Sequence, residues 1–303
     1  MSSKAELSSK ATVSLPSVVP RNYGLWSEAW ERLLRNRAAV VGGVLLLLIT
    51  LLVIFGPWLS PFDHVIPDWD RAGQPPDAES SHWFGTDAIG RDLFVRTLMG
   101  GRVSLLVGIL ATLVSLIIGV AYGAVAGYFG GKLDNTMMRV VDVLYAMPFM
   151  FFVILLMVVF ERNIFLVFVA IGAVNWLDMA RIVRGQTLSL KNKEYVQAAQ
   201  AIGVPPKQII LRHIVPNLIG VVIVYATLTV PQVILVESFL SFLGLGVQEP
   251  MTSWGALVNE GAQEMETAPW ALVFPAVFLA LTLFSLNFLG DGLRDALDPK
   301  DHY

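Results

Sequence analysis

The sequence predicts an all-α membrane protein with six transmembrane helices. Three observations lead there. The chain is 55% hydrophobic and 15% charged, with a mean hydropathy of +0.64, whereas soluble domains carry about 25% charged residues. Its apolar residues gather in runs near the roughly 20 residues a bilayer core asks of a helix. Its lysines and arginines favour alternate connections between those runs.

Residues 1–37 form an N-terminal segment. Its first 25 residues are rich in Ser, Ala and Pro and lack a sustained apolar face, a composition expected to stay disordered. The first span is 38–59, AAVVGGVLLLLITLLVIFGPWL, which contains no charge. A long preceding segment, a long apolar run and the lack of a small-x-small cleavage site make it an anchor, not a leader. Residues 60–101 form an external segment, with Pro61, Pro67, Pro75 and Pro76 ahead of GTDAIGRD (85–92). Residues 102–291 form a five-helix core, with spans near 103–129, 140–160, 164–180, 214–236 and 270–290. Pro148 and Pro231 are expected to kink their helices. Residues 241–269 form a second external segment, and 292–303 a tail. Sixteen Lys and Arg lie in the N-terminal segment, the 130–139 and 181–213 connections and the tail, against five at Arg71, Arg91, Arg96, Arg102 and Arg162. Both termini are therefore expected to be cytoplasmic.

Composition excludes several functions. There is no cysteine, hence no disulfide, thiolate metal site or cysteine nucleophile. His64, His82, His213 and His302 are scattered without metal-ligand spacing. No basic patch interleaved with aromatics suggests nucleic acid. The Gly131-Lys132 pair is followed by Leu133 and lacks the upstream glycine of a phosphate-binding loop. Any ATP-driven work would therefore need a partner.

Polar residues at the spans are pathway candidates, because charge at depth is costly and usually faces protein or water. Asn175, Gln232 and Glu237 are taken as tentative pathway residues, Glu237 at the external mouth. Asp178 and Arg181, three apart on one helical face, are expected to form a structural ion pair. Gly119, Gly123, Gly127 and Gly131 have the spacing of a close helix contact, within the bundle or against a partner. Asp87, Arg91 and Asp92 would brace the external loop or meet an external protein.

The stretch EYVQAAQAIGVPPKQIILRHIVPN (194–217) is unusual between apolar runs. A helix over 192–203 is expected, with Asn192 as N-cap, Glu194 in the first turn and Gly203 as the stop. Pro205 or Pro206 opens a second short helix, and Pro216 marks re-entry into the membrane. Ala198, Ala199 and Ala201 give the first helix low relief. Such a surface suits docking against another protein, or an interfacial helix lying on lipid.

This stretch resembles the EAA loop of ABC-importer permeases, E-A-A, three residues, G, nine residues, I-x-L-P. Gln197, Ala198, Ala199, Gly203 and Pro216 match its spacing, while Gln197, His213 and Val215 stand for Glu, Ile and Leu. Glu194, on the same helical face, is expected to replace the missing acid. FGTDAIGRDLFVRTLMGGRVSL (84–105), SFLGLGVQEPMTSWG (241–255) and GDGLRDALDP (290–299) are similar to the peptide and nickel importer permeases, as are NWLDMA (175–180) and RIVRGQTLSLK (181–191). The resemblance implies a type I ABC importer permease fold with a cytoplasmic coupling helix in the bacterial inner membrane. It implies a second homologous permease, two ABC ATPase subunits that bind ATP and Mg, a periplasmic peptide-binding protein and a peptide cargo. The chain itself would be non-catalytic, with no cofactor or metal, and would couple through Glu194, Gln197, Ala198, Ala199, Gly203 and Pro216. Rival readings are an ion-coupled secondary transporter, a membrane enzyme and a non-transporting scaffold subunit. Six spans, no internal repeat and few deep carboxylates weigh against the first, and no Ser-His or paired-carboxylate constellation supports the second.

Overall fold

A computed structural model describes residues 25–159 and 164–297, and these are mostly helical, with long stretches outside the α-helices over 60–92 and 243–253. The N-terminal disorder expected for 1–25 falls almost wholly outside the described residues. The helices are α1 (Leu25–Arg35), α2 (Arg37–Phe55), α3 (Leu93–Phe129), α4 (Gly131–Ala146), α5 (Phe149–Val159), α6 (Ile164–Lys191), α7 (Glu194–Ala201), α8 (Pro206–Ile209), α9 (Val215–Phe242), α10 (Trp254–Gln263) and α11 (Pro269–Leu297). Among the described residues, four stretches are long and apolar enough to cross a membrane: Arg37–Leu59, Leu93–Phe129, Pro206–Phe242 and Pro269–Leu297.

Helix α1 does not stand out from the sequence pattern. Its apolar positions at Ala29 and Leu33 pack on Leu293, Ala296 and Leu297 of α11. Asn36 separates α1 from α2 in an extended conformation, and its side chain accepts the amides of Ala38 and Ala39, as an N-cap should. Helix α2 then packs along α11.

Helix α3 starts ten residues before the expected span. Its 37 residues reach about 55 Å, more than a bilayer core of roughly 30 Å needs. The extra turns carry buried Arg96 and half-buried Arg102 near the N-terminal end of α3. Asp92 caps the start by accepting the Val95 amide. Arg102 donates to the carbonyls of Val53 and Ile54 at the end of α2.

The most extensive helix pairing is α3 with α6, and glycine permits it. A Cβ at Gly119 would sit 2.6 Å from Met179 Cβ, and one at Gly127 2.7 Å from Thr187 Cβ. Gly123 packs on the Ala180 carbonyl and Val183. The glycine stripe therefore seals the interior of the bundle. Gly131, its fourth expected member, lies outside the seam with φ +58 and open space around it.

The expected single kinked span at 140–160 is two helices. Met147 is extended at ψ 139 between α4 and α5, because the following Pro148 disfavours helical geometry in the residue before it. Pro231 remains inside α9, and Pro275 inside α11.

Candidate functional site

The 194–217 stretch folds as a short helix, a tight stop and a re-entrant helix. The N-cap of α7 is Lys193, without a side-chain bond. Asn192 was the expected cap, but its amide instead donates back to the Leu188 carbonyl inside the end of α6. Gly203 closes α7 at φ +80, where a side chain would be strained. The Gly203 amide donates to Gln200 O at 3.0 Å and the Val204 amide to Ala199 O at 3.0 Å. Val204 then packs into the core beneath, completing a Schellman-type stop.

The two faces of α7 differ sharply. Val196 and Ala199 are buried against Ile209, Ile210 and Ile214. Glu194, Gln197, Ala198, Ala201 and Gly203 are exposed. Ala199, expected as a contact residue, is therefore an inward packing residue at 6% exposure. Ile202, unmarked by the motif, stands 81% exposed at the tip. The helical period places 196 and 199 on one side and 194, 197, 198 and 201 on the other.

Pro216 explains the next feature. It lacks an amide proton, and its ring would press on the carbonyl four residues back in a regular helix. The chain widens into a π-turn over Ile210–Ile214, and the Val215 amide reaches Ile210 O. Helices α8 and α9 are thus one nearly continuous rod with a bulge. Pro216 is exposed, and Ile209, Ile214 and Leu218 hold the rod to the core.

The mid-chain polar residues are dispersed. Asn175 donates to the Ile171 carbonyl and, with Asp178, lines a cavity of about 340 Å³ beside Tyr145 and Met147. The expected Asp178–Arg181 pair is not formed. Arg181 turns to Asp142 on α4 at 2.8 Å and covers the Tyr145 ring at 4.4 Å. Arg184, one turn on, grips Asp134 with two bonds of 2.6 and 2.7 Å. These two pairs fasten α4 to α6; the sequence hid them because their partners lie 39 and 50 residues apart. Gln232 is exposed on α9. Glu237 is fully buried, not at a mouth. It accepts hydrogen bonds from Ser241 at 2.7 Å and Ser104 at 3.2 Å, and Ser104 in turn accepts the Trp254 amide. Glu237 therefore joins α3, α9 and α10 from within.

Segments 60–101 and 241–269 close on each other through charge. Asp87, buried, accepts Arg91 Nε at 2.7 Å and Arg96 Nη1 at 2.6 Å. Arg96, 2% exposed, also holds Glu260 at 2.8 Å, and Arg91 holds Glu249 at 2.7 Å. Burial opposes the Arg91 charge, yet Glu249 and Asp87 raise its pKa overall. Arg91 in return holds the Glu249 carboxyl below its usual range. Burial pushes the Glu264 carboxyl up. Asp92 accepts a 2.8 Å hydrogen bond from buried His82, whose other ring nitrogen meets Arg71 at 3.1 Å. The Asp87, Arg91 and Asp92 cluster thus braces the loop.

Long apolar helices around a glycine seam, with a mainly apolar cavity that Asn175 and Asp178 enter and an exposed short helix slung from one rod, fit the class of helical membrane permeases. Comparison with known proteins then gives the family. Residues 119–301 match the model of the binding-protein-dependent transport system inner membrane component, and residues 24–76 that of the N-terminal TM domain of oligopeptide transport permease C. The oligopeptide transport system permease protein OppC of Haemophilus influenzae is 60% identical over 277 residues, covering 91% of this chain and 89% of the relative. OppC of Escherichia coli K12 is also 60% identical, over 91% of this chain and 92% of its own. The dipeptide transport system permease protein DppC of Bacillus subtilis is 48% identical over 90% of this chain and 85% of its own. Among solved structures, an inward-facing MetNI methionine ABC transporter shares the fold, with a TM-score of 0.55 at 18% identity, covering 68% of this chain and 96% of that one. The chain belongs to the binding-protein-dependent transport permease family.

Proposed function

We propose that this chain is a transmembrane permease subunit of an ATP-driven importer that takes up oligopeptides delivered by a periplasmic binding protein. It forms half of the translocation pathway beside a second homologous permease. Six spans cross the bacterial inner membrane with both termini cytoplasmic, the third and fourth being built from α4–α5 and α6. Two ABC ATPase subunits bind ATP and Mg, and one of them receives α7. The chain itself performs no chemistry.

The observation that carries this reading is the mounting of α7. Its outer face offers Glu194, Gln197, Ala198, Ala201 and Ile202 to a partner, while Val196 and Ala199 lock its inner face to the α8–α9 rod. A push on α7 therefore reaches a spanning helix without a flexible joint. Close-packed elements move as rigid bodies between discrete arrangements. Oligopeptide cargo is supported by the 60% identity to permeases named for it.

The test is ATP-dependent uptake of a labelled tripeptide into proteoliposomes, with the binding protein supplied. Ala198→Trp is exposed, and Gly203→Leu strains the stop. Both should abolish uptake and release the ATPases on co-purification. Unchanged uptake and assembly in both variants would sink the coupling role while leaving the family assignment in place.

A further inference from the structure

Helix α1 serves none of the roles above. Its inner face is buried on α11, where Gly292 allows Leu33 and Ala39 to approach closely. The face beside it carries Trp30 and Leu34, four residues apart, 61% and 54% exposed. By the helical period Glu31 and Arg35 lie to one side of that face, with Glu28 and Arg32 behind it, and Arg37 follows just past Asn36; together they leave one net positive charge. Among the described residues no ion pair holds these arginines. Only Asn36 separates α1 from α2. Helix α2 begins the first spanning stretch and exposes Val41, Val44, Leu47 and Leu48, a flank that must face lipid or another membrane helix. Helix α1 therefore stands at the level of a bilayer surface.

We infer that α1 lies in the plane of the membrane surface and binds acidic phospholipids, with Trp30 and Leu34 in the acyl boundary and Arg32, Arg35 and Arg37 at the headgroups. A helix with one apolar face, a tryptophan and a polar face of net basic charge partitions in this way. Lipid suits the face better than protein because an exposed apolar face and a polar side with net basic charge share one short helix at the mouth of a span, where phosphate and acyl chain also meet. The arm is fixed to α11, so lipid held there also fixes the end of the last helix. The inference rests on the membrane reading but not on which side the N-terminus faces.

The chain has no cysteine, so Trp30→Cys carrying bimane gives a single reporter in the full chain. It is reconstituted in vesicles of phosphatidylethanolamine with a minority of phosphatidylglycerol, symmetric in both leaflets. Bromines are placed on the acyl chains of one lipid or the other. Both should quench the reporter, and phosphatidylglycerol should be enriched about five-fold near it, as one net basic charge at an anionic surface gives. Arg32→Gln, Arg35→Gln and Arg37→Gln together should keep quenching but lose the enrichment. A second reporter at Leu34→Cys guards against a local fault of the first. Absence of quenching by either lipid at both reporters would mean that protein covers the face. Equal quenching per lipid would remove the acidic preference. Either result overturns the inference. Symmetric leaflets keep a wrong topology from mimicking either.

Discussion

Replacing Asp87 with Ala should loosen the packing of segment 60–101 on 241–269 more than loss of any exposed charge there. Asp87 is 3% exposed and serves two guanidinium groups plus the amides of Ile89 and Arg91. Its removal leaves Arg96, itself 2% exposed, with Glu260 alone. Removing one member of a buried pair costs about 3–5 kcal/mol, chiefly because the other charge stays desolvated. Glu260 still holds Arg96 with bonds of 2.8 and 3.2 Å, so the lower end, about 3 kcal/mol, is expected. Glu249→Ala is the control. That carboxylate is 68% exposed, and exposed pairs contribute about 0–1 kcal/mol. Unfolding in mixed micelles, followed by tryptophan fluorescence, measures both. The pair Asp87→Ala with Arg96→Met should be milder than Asp87→Ala alone, since the stranded charge is gone. If Asp87→Ala costs no more than Glu249→Ala, the clamp is a surface feature and the reasoning from burial is wrong.

Three further outcomes follow from the same geometry. Gly123→Val places a side chain on the Ala180 carbonyl; backbone cannot yield as a side chain can, so a loss of about 1–3 kcal/mol or more is expected in the same titration. Gly185→Ala, in the middle of α6 with open space around it, should gain up to about 1 kcal/mol, and equal effects of the two would disprove the seam. Glu264 has a raised pKa from burial. The folded state thus holds its proton to higher pH than the unfolded chain, and stability falls as pH rises from the usual carboxylate value through the raised one. Glu264→Gln should flatten that segment of the pH–stability curve and leave the protein no less stable at neutral pH; an unchanged curve would refute the assignment.

Much of the molecule was legible in the chain because the bilayer imposes a simple demand on it. Runs such as 38–59 must be helical, since lipid offers no partner for backbone amides. The GVPP break was equally legible, because glycine readily takes the left-handed turn that Gly203 adopts and proline at 206 fixes φ and suits a first helical turn. The same local chemistry misled where two signals met. Pro148 marked a disturbance within 140–160, but the strength of the break depended on Met147 becoming extended. The repeat of alanines at 198 and 199 looked like one surface, yet the cores beneath took Ala199 and left Ala198 outside.

The sequence by itself determined the membrane class, the helical runs, the punctuation of the 194–217 loop and the family, because each depends on residues close together along the chain. Tertiary structure alone decided which charges meet. Arg181 chose Asp142 over its helical neighbour Asp178, Arg184 found Asp134, and Arg96 found Glu260 across 164 residues. It also drew Glu237 inward to serines of α3 and α9. A buried charge or polar group must be satisfied wherever the fold brings a partner. That partner is set by how helices pack in space, which spacing along one helix does not encode.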